Sequence, residues 1–337
     1  MKNVVHLGPY GSKGGMSSVI QNMIDNTPDG WNSSVIKTHS DGNQISKIKI
    51  WLKSKRELKK NIRSGLVDVL HVHVTHSISY WRKINLLNSI DKYKIPTIIH
   101  VHSGKFDNYC ESFFGYPGRS FRKRLMKENY HVVLLEERWE EKLTKWLPKK
   151  PDIIRNSAKG IERERVKNFD KIELLMLSRD SQVKGHNFAI NILKNIQIMG
   201  FDVNLTITGK EGDNNKLLKY DSVEFLGWVS EKKKNKLIAK SHFLLSPSSF
   251  EGASMSVIEA INSGLPCLVS PASDETIGVE ELVLSLDNSK KWAQKIIQIF
   301  DESEYERITK LMGKISERYS PDKIRKDWQK IYDRVKK

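Results

Sequence analysis

The strongest constraint on the fold is a regular alternation of short apolar runs with amphipathic helical patterns along the 337 residues. The apolar runs Val69–Val74 and Thr97–Val101 are each followed by a helical pattern, and the same alternation begins again at Ile172–Leu177. Strands that alternate with helices form parallel sheets with helices on both faces. The sequence therefore predicts an α/β protein of doubly wound parallel sheets, with helices closing the chain.

The segment Ser157–Lys171 is polar and highly charged and separates the two series of alternating strands and helices, which predicts a linker. We expect a first domain over residues 1–160, a second over residues 161–320, and a C-terminal helix over residues 321–337 that returns to the first domain. The strands expected in the second domain are Ile172–Leu177, Val203–Thr208, Val223–Phe225, Phe243–Ser246, Pro266–Val269 and Val283–Ser285.

Charge is distributed unevenly along the chain. The net charge is +17, and residues 1–165 supply +14 of it, as 30 Lys and Arg less 16 Asp and Glu. An anionic partner should therefore meet the first half. There is no apolar run of the ~20 residues needed to span a bilayer and no signal-peptide pattern. Because Cys110 and Cys267 are far apart and no disulfide framework is evident, we expect a reducing, cytoplasmic compartment.

The segment Phe250–Pro271 carries Glu251 in a loop and Glu259 on the helix predicted to follow it. The unpaired N–H groups and the dipole of that helix make its N-terminus a natural seat for phosphate. Carboxylates on either side accept hydrogen bonds from sugar hydroxyls, so the layout suits a nucleotide-sugar. From the spacing alone, a loop charge and a solvated helix residue fit equally well.

Two further loops, each following a predicted strand, contain residues suited to binding phosphate. Gly14 and Gly15 end a glycine-rich turn before a helix, although the spacing matches neither the dinucleotide fingerprint nor the P-loop. Arg179 and Lys184 stand five positions apart, and together they can converge on a diphosphate. The alternatives are a plain turn and two solvated cations.

Histidines cluster at the ends of two predicted strands. His71, His73 and His76 end one strand and His100 and His102 end another, and positions two apart in a strand share a face. Because no acidic cluster, cysteine or Asp-x-Asp motif accompanies them, we predict no metal site. We expect His71 and His100 to pack within the sheet and His102 to hydrogen-bond a substrate.

The basic segment Lys47–Arg63 has an apolar stripe at helical spacing and is typical of a helix on an anionic bilayer. The basic run Arg119–Lys127 could extend that surface. The alternative is that both are ordinary helices facing the domain core. The apolar stripe of Lys47–Arg63 consists of Ile48, Trp51, Leu52, Leu58 and Ile62. No nucleic-acid-binding module is recognisable in the sequence.

In order and spacing, these loops resemble GT-B retaining glycosyltransferases of family 4, which assemble capsule, lipopolysaccharide and other cell-surface glycans. The resemblance implies two Rossmann-like domains facing a central cleft, the first binding the acceptor and the second the nucleotide-sugar. It covers nearly the whole chain and is carried by the Gly14–Gly15 loop, DVLHVH, HVHSG, IIRNS, SRDSQVKGH, LTITGK, VEFLGWVS and FEGASMSVIEAINSGLPCLVS.

The resemblance also implies residue roles. Arg179 and Lys184 would clamp the donor diphosphate, Glu251 and His102 would contact the transferred sugar, and Glu259 would hold the ribose hydroxyls. The donor-contacting positions that it implies are Gly14, Gly15, Gly209, Trp228, Val229, Gly252, Ala253, Ser254, Met255 and Glu259. The family often has an aromatic residue or proline where this chain has Ala253 and Ser254, and SPASDETIG replaces a glycine-rich turn. These departures leave the donor sugar open.

The expected activity is retaining, metal-independent transfer of a sugar from a nucleoside diphosphate-sugar, first of all a UDP-sugar, to a glycan or lipid-linked acceptor. We expect no cofactor and a protein at the inner face of the cell membrane. Two alternatives remain, a GT-B nucleotide-sugar epimerase and a non-catalytic basic protein that binds nucleic acid or serves as a scaffold.

Overall fold

The computed structural model describes residues 1–39, 44–164, 166, 168–209 and 221–337, and of residues 44–47 the backbone alone. The chain forms two units. The first comprises Met1–Ser157 together with Pro321–Lys337, and the second comprises Ala158–Ser320. The division thus falls three residues before the expected boundary at residue 160, and the C-terminal segment belongs to the first unit.

All strands that pair within a sheet run parallel to one another. The first unit has the strand order β2-β1-β3-β4-β5-β6, and the second has the order β11-β10-β7-β8-β9. The strands are β1 (Lys2–Pro9), β2 (Trp31–His39), β3 (Val69–Val74), β4 (Thr97–Val101), β5 (Tyr130–Leu134), β6 (Asp152–Ile153), β7 (Ile172–Leu177), β8 (Val203–Thr208), β9 (Val223–Leu226), β10 (Phe243–Ser246) and β11 (Cys267–Val269).

Helices connect the strands and cover the faces of each sheet, which is the doubly wound arrangement predicted from the sequence. They are α1 (Gly15–Asp25), α2 (Gln44–Arg63), α3 (Ile78–Asn88), α4 (Phe106–Leu125), α5 (Arg138–Leu143), α6 (His186–Ile198), α7 (Glu231–Lys240), α8 (Met255–Asn262), α9 (Asp274–Ile277), α10 (Ser289–Ile299), α11 (Glu302–Ser316) and α12 (Pro321–Lys336). Three of them begin where a side-chain oxygen accepts backbone N–H groups, at Ser230, Asn288 and Asp301.

One sequence expectation was wrong in detail. The predicted strand Val283–Ser285 is a single bridge between Val283 and Val269, because a 3₁₀ turn at Glu280–Leu282 leads directly into it. Helix α4 consists of two helical segments joined by a kink, where Phe113, Phe114 and Gly115 adopt left-handed backbone conformations. The second segment, which contains Arg119, begins after this kink.

The two faces of the first sheet differ in chemistry. One face is aliphatic and includes Leu70, Val72 and Ile99. The opposite face has histidines where the registered strands β1, β3 and β4 would normally have aliphatic residues. Helix α12 covers that face, and the ring of Trp328 lies 4.5 Å from the ring of His71. The C-terminal helix is therefore part of the core of the first unit.

Candidate functional site

The strand order of the second unit indicates where a ligand binds. Neighbouring strands β7 and β10 lie where the order reverses, and ligands of open α/β sheets bind beyond the carboxyl ends of such a pair. The loops at that position are residues 178–185, which follow β7, and residues 247–254, which follow β10. They contain Arg179, Lys184 and Glu251, so three of the four predicted catalytic residues lie at one switch point.

Backbone contacts hold these two loops together. Ser249 donates its N–H to the carbonyl of Val183 at 2.8 Å. Gly185 has φ +76°, and a Cβ at this position would lie 2.2 Å from the carbonyl oxygen of Pro247. Only glycine accommodates both the left-handed backbone and the close approach. The loop positions are thus fixed by backbone geometry before any ligand binds.

Lys184 and Glu251 form an ion pair across the two loops. The distance from Lys184 Nζ to Glu251 Oε1 is 2.5 Å, and the side chains are 18% and 11% exposed. The resemblance implies a contact of Lys184 with the diphosphate and of Glu251 with the sugar of one ligand, and the structure brings the two residues into direct contact. The pair keeps both charges in position beyond the carboxyl ends of β7 and β10, where an anionic ligand can compete with Glu251 for the ammonium group.

Arg179 lies in the same loop as Lys184 but is exposed. In the part of the chain that the structure describes, its guanidinium has no hydrogen-bond or ion-pair partner. The preceding Ser178 is fixed, because its Oγ lies 2.8 Å from Nε2 of the buried His186. Gly209 follows β8 with φ +84°, and a Cβ there would lie 2.3 Å from the carbonyl oxygen of Ser178. Gly209 therefore supports the loop, and residues 210–220 after it lie outside the described residues.

Helix α8 begins beside this pair. Gly252 and Ala253 lead to Ser254, which precedes Met255, the first residue of the helix. The side chain of Ser254 does not cap the helix, and its Oγ lies 3.1 Å from Oγ of Ser256. The N-terminus of α8 therefore presents backbone N–H groups that no capping side chain occupies, as the sequence predicted.

Glu259 lies about one turn into α8 and has a partner that sequence reasoning missed. Its Oε1 is 2.8 Å from Nζ of Lys234, and Lys234 also contacts Glu231 at 2.9 Å. Burial raises the pKa of Glu259, and the Lys234 ammonium opposes that rise. Burial lowers the pKa of Lys234, but Glu259 and Glu231 outweigh it and raise the pKa overall. Nothing in the lysine-rich sequence of α7 marks Lys234 among its neighbours.

Two further positions that the resemblance implies as donor contacts, Trp228 and Val229, follow β9. Trp228 is 46% exposed, whereas Val229 packs against the core of the second unit. An exposed indole offers a flat apolar surface, and Val229 fixes the chain that carries it.

His102 and the glycine loop belong to the first unit. Gly14 precedes α1 with φ +128°, and Gly15 is the first residue of that helix. His102 follows β4 and donates its backbone N–H to the carbonyl of Val74 at 2.9 Å. Its ring Nε2 lies 2.9 Å from Nδ1 of His73. Burial, with a smaller effect of Lys83, lowers the pKa of His102 to about 3, so the ring is neutral.

A pocket of about 740 Å³ lies in the first unit at the carboxyl ends of β1, β2 and β3. Its walls include Trp51 and Trp81, together with the cationic side chains of Arg82 and Lys83. Lys83 is fully buried and donates to Ser79 Oγ at 2.9 Å. Burial and the neighbouring Arg82 lower the pKa of Lys83 to about 7. The pocket therefore combines aromatic walls with a buried amine, which suits a ligand with apolar and anionic parts.

Parts of the two segments predicted to contact a membrane are buried in the first unit. In α2, Leu58 and Ile62 are buried while Ile48 and Leu52 are 58% and 43% exposed; the side chain of Lys47 lies outside the described residues. The stripe is therefore divided, with its C-terminal half packed inward as in an ordinary helix.

The second basic run is divided in the same way. Arg124 donates to the hydroxyl of Tyr130 at 2.7 Å, and Lys127 pairs with Asp91. Arg119, Arg122 and Lys123 remain exposed. Among the described residues, no helix is long and apolar enough to cross a membrane.

An exposed aromatic segment, which the sequence did not single out, precedes that run. Phe113, Phe114 and Tyr116 are 76%, 99% and 59% exposed. Phe113 and Phe114 have φ of 49° and 55°, a region that bulky side chains rarely adopt. We call Phe113–Tyr116 the aromatic segment. A strained backbone that presents aromatic rings to solvent is typical of a contact surface.

Known proteins resemble this chain in sequence and in fold. Residues 171–302 match the family model described as glycosyl transferases group 1. A Klebsiella pneumoniae protein, described as an uncharacterized 41.2 kDa protein in the cps region, is 22% identical over 330 residues, which cover 89% of each chain. The matched residues 171–302 include both loops of the switch point.

Solved structures share the fold at low identity. Sucrose-phosphate synthase from Thermosynechococcus elongatus is 13% identical, with 99% of both chains covered and a TM-score of 0.76. A variant of S. aureus TarM, in complex with fondaparinux, α-GlcNAc-glycerol and UDP, is 13% identical over 98% of this chain and 100% of its own, with a TM-score of 0.69. WaaG, a glycosyltransferase involved in lipopolysaccharide biosynthesis, is 12% identical over 96% and 98%, with a TM-score of 0.66. These similarities confirm the predicted GT-B fold of two parallel-sheet domains.

Proposed function

We propose that the protein is a glycosyltransferase that moves a sugar from a nucleoside diphosphate-sugar, first of all a UDP-sugar, to a hydroxyl of a cell-surface glycan precursor. The Lys184–Glu251 pair at the β7/β10 switch point is the observation that carries the proposal. The group 1 match over residues 171–302 and the relative from a cps region support it.

The donor's diphosphate is proposed to bind between the two loops and the N-terminus of α8. Lys184 exchanges its contact with Glu251 for a phosphate oxygen, and Arg179 adds a second cation. Glu251 is then released towards the hydroxyls of the sugar. Glu259, with its orientation fixed by Lys234, accepts hydrogen bonds from the ribose hydroxyls. Trp228 offers its exposed ring to the base.

In the reaction, the bond from the anomeric carbon to the diphosphate oxygen breaks, the acceptor hydroxyl oxygen forms the new bond to that carbon, and the hydroxyl proton passes to the departing diphosphate. Charge grows on the departing diphosphate, and Arg179, Lys184 and the N–H groups of α8 are in a position to stabilise it. The anomeric configuration is proposed to be retained. Because these groups already supply the positive charge, transfer is proposed to need no divalent cation.

The acceptor is proposed to bind the first unit, in the pocket beside Trp51, Trp81, Arg82 and Lys83. Aromatic walls pack against sugar rings or an isoprenoid chain, and the two cations fit a phosphate or an acidic sugar. His102 is predicted to contact the sugar, and Gly14 and Gly15 the phosphates or the acceptor.

A membrane-bound acceptor would explain the remaining exposed features of the first unit. We propose that the aromatic segment enters the headgroup region of an anionic bilayer while Arg119, Arg122 and Lys123 contact lipid phosphates. The exposed Ile48 and Leu52 of α2 are proposed to lie on the same surface.

The experiment that tests the proposed reaction follows the donor by NMR in the presence of EDTA. With a UDP-sugar and membrane lipid extract, we expect transfer of the sugar with retained configuration and release of UDP. Donor alone should remain intact. Conversion of donor alone into an epimer would instead show an epimerase, and loss of transfer with EDTA would contradict the metal-free mechanism.

A further inference from the structure

Five histidines occupy one face of the first sheet. They are His6 on β1, His71 and His73 on β3, and His100 and His102 on and after β4, and we call them the histidine cluster. The first four are at most 1% exposed, and His102 at the strand end is partly exposed. A face of this kind is normally aliphatic, since each buried imidazole must find partners for two nitrogens.

The rings of the cluster contact one another through nitrogen atoms. His6 Nδ1 lies 3.0 Å from His73 Nε2, and His73 Nδ1 lies 2.9 Å from His102 Nε2. His71 Nε2 lies 3.1 Å from His100 Nδ1, and His71 Nδ1 lies 2.8 Å from the hydroxyl of Tyr332. Each neutral ring has one N–H and one lone pair, so every such contact fixes a tautomer.

Two ring nitrogens of the cluster are buried and make no hydrogen bond among the described residues, Nε2 of His6 and Nε2 of His100. If His100 donates through Nδ1 to His71, its Nε2 presents a bare lone pair. A buried, unpaired imidazole nitrogen is destabilising unless a partner uses it, and a metal ion is one partner that binds such a lone pair. Because each orphaned nitrogen belongs to a different set of three histidines, ring orientation decides between the sets.

We propose that His73, His100 and His102 form a binding site for a divalent transition metal ion, with Zn²⁺ as the best fit. One ring nitrogen from each lies within 4.8 Å of those of the other two. Nitrogens on a tetrahedral zinc, at ~2.05 Å each, are about 3.3 Å apart. The site therefore forms if the rings shift by about 1 Å or slightly more at the widest pair.

The remaining two histidines hold these ligands in orientation. His6 contacts the second nitrogen of His73, and His71 contacts the second nitrogen of His100. Tyr332 on α12 in turn fixes His71. Metal-bound histidines usually have their other nitrogen fixed in this way, which sets the ring tautomer and plane. The five-histidine arrangement is thus three ligands and two supporting residues.

Ring orientation favours this set over His6, His71 and His73, whose nitrogens also lie within 4.8 Å of one another. The rings of His71 and His73 are stacked with only 8° between their planes. Stacked rings direct their in-plane lone pairs side by side. The rings of His73, His100 and His102 are instead tilted by 33° to 46°. Of the three, only His102 is partly exposed.

The site lies in the first unit and does not involve Lys184 or Glu251. It assigns His102 to a metal ion in place of the sugar contact that the resemblance implies, and it departs from the expectation of no metal site.

Cobalt titration of the untagged, chelator-treated full chain tests the proposal. We expect one Co²⁺ per chain with the intense visible absorption of a four- or five-coordinate ion, displaced by one equivalent of Zn²⁺. His100→Gln and His73→Gln should lose this spectrum. His131→Gln, which alters a histidine of the same unit outside the cluster, should keep it. Far-UV circular dichroism of the metal-free variants checks their folding.

Two results would overturn the proposal. One is a wild-type chain that gives no Co²⁺ spectrum and no Zn²⁺-dependent rise in melting temperature, and this result needs no variant. The other is a folded His100→Gln chain with an unchanged spectrum, which would place the metal elsewhere. The spectrum and the melting temperature are independent of sugar transfer, so failure of this proposal and failure of the proposed function are distinguishable.

Discussion

At the scale of single residues, the candidate donor site depends on two ion pairs that hold carboxylates in place. Lys184 pairs with Glu251 at 2.5 Å, and Lys234 pairs with Glu259 at 2.8 Å. In both, the residues are less than one fifth exposed, so ligand and solvent compete for them less than on an open surface. Each pair gives a separate prediction, because Lys184 is proposed to bind the diphosphate and Glu259 the ribose.

Replacing Lys184 by alanine should lower kcat for sugar transfer by about 10²- to 10³-fold, since the growing charge of the leaving diphosphate loses a fixed cation. The change also leaves Glu251 without its partner, so a modest loss of stability is expected. Stopped assays of product formation give kcat, and the exposed Lys232→Ala is the matched control. A Lys184→Ala enzyme with wild-type kcat would remove Lys184 from the site.

Replacing Glu259 by glutamine should weaken the binding of UDP by about 10- to 100-fold, which corresponds to the ~1.5–3 kcal/mol of a hydrogen bond to a charged group. Isothermal titration calorimetry measures the dissociation constant. Glu231→Gln is the control, because Glu231 also contacts Lys234 but is 80% exposed. Equal affinities for the two variants would mean that Glu259 has only a structural role.

At the scale of elements, α4 differs most from the membrane surface expected of it. The basic run Arg119–Lys127 was expected to extend that surface, but Arg124 and Lys127 are occupied by partners within the unit. The aromatic segment within α4 instead presents apolar surface, and the side chain of Arg119 donates to the carbonyl of Phe114. The glycines and the proline of this stretch indicate a break in the helix, whereas the exposure of its aromatic rings depends on tertiary packing that the pattern does not give.

The double substitution of Phe113 and Phe114 by serine should reduce binding to anionic vesicles by tenfold or more, because two exposed rings lose their contact with the headgroup region. The rings are 76% and 99% exposed, so the melting temperature should change little. Vesicle sedimentation at several phosphatidylglycerol contents measures binding. The exposed Ile198→Ser, in the second unit, is the control, and equal sedimentation of the two variants would refute the membrane contact.

At the scale of the whole molecule, the two doubly wound sheets and the main loops followed from the sequence, because alternation of strand and helix patterns dictates such sheets, whereas the strand order was not predicted. The resemblance assigned Arg179, Lys184 and Glu251 to one donor, and the structure gives the reason that they lie together, since they follow neighbouring strands. Lys234 was missed because its contact with Glu259 comes from α7, which is distant in sequence. His71 and His100 were correctly expected to pack in the sheet, but their mutual contacts depend on strand register, which spacing alone does not give.

The histidine cluster predicts how stability depends on pH. Burial lowers the pKa of all five rings, for His6 to about 3. Below pH ~6.5 the unfolded chain therefore binds protons that the folded chain does not. Stability is fully present above that pH and falls as pH decreases, by up to ~1.4 kcal/mol per pH unit for each histidine.

Urea midpoints between pH 7.5 and 5, measured with a chelator present, test this dependence. Tyr332 stays neutral in that range because burial raises its pKa, while Lys83 with a pKa of about 7 gains a proton as the pH falls. In the His6→Val variant, the urea midpoint should fall less steeply with decreasing pH, because one titrating group is removed. A decline as steep as in the wild-type chain would contradict the neutral, buried state of His6.

The proposed donor site is tested by a melting-temperature screen of the wild-type chain and Lys184→Ala against nucleoside diphosphate-sugars in EDTA. A donor that binds the folded state alone raises its stability by ~2.7 kcal/mol at 100 times its Kd. We expect at least one UDP-sugar to raise the melting temperature of the wild-type chain, and this rise to be lost in Lys184→Ala. A wild-type chain that no nucleoside diphosphate-sugar stabilises, or a variant that responds equally, would contradict the proposed donor site.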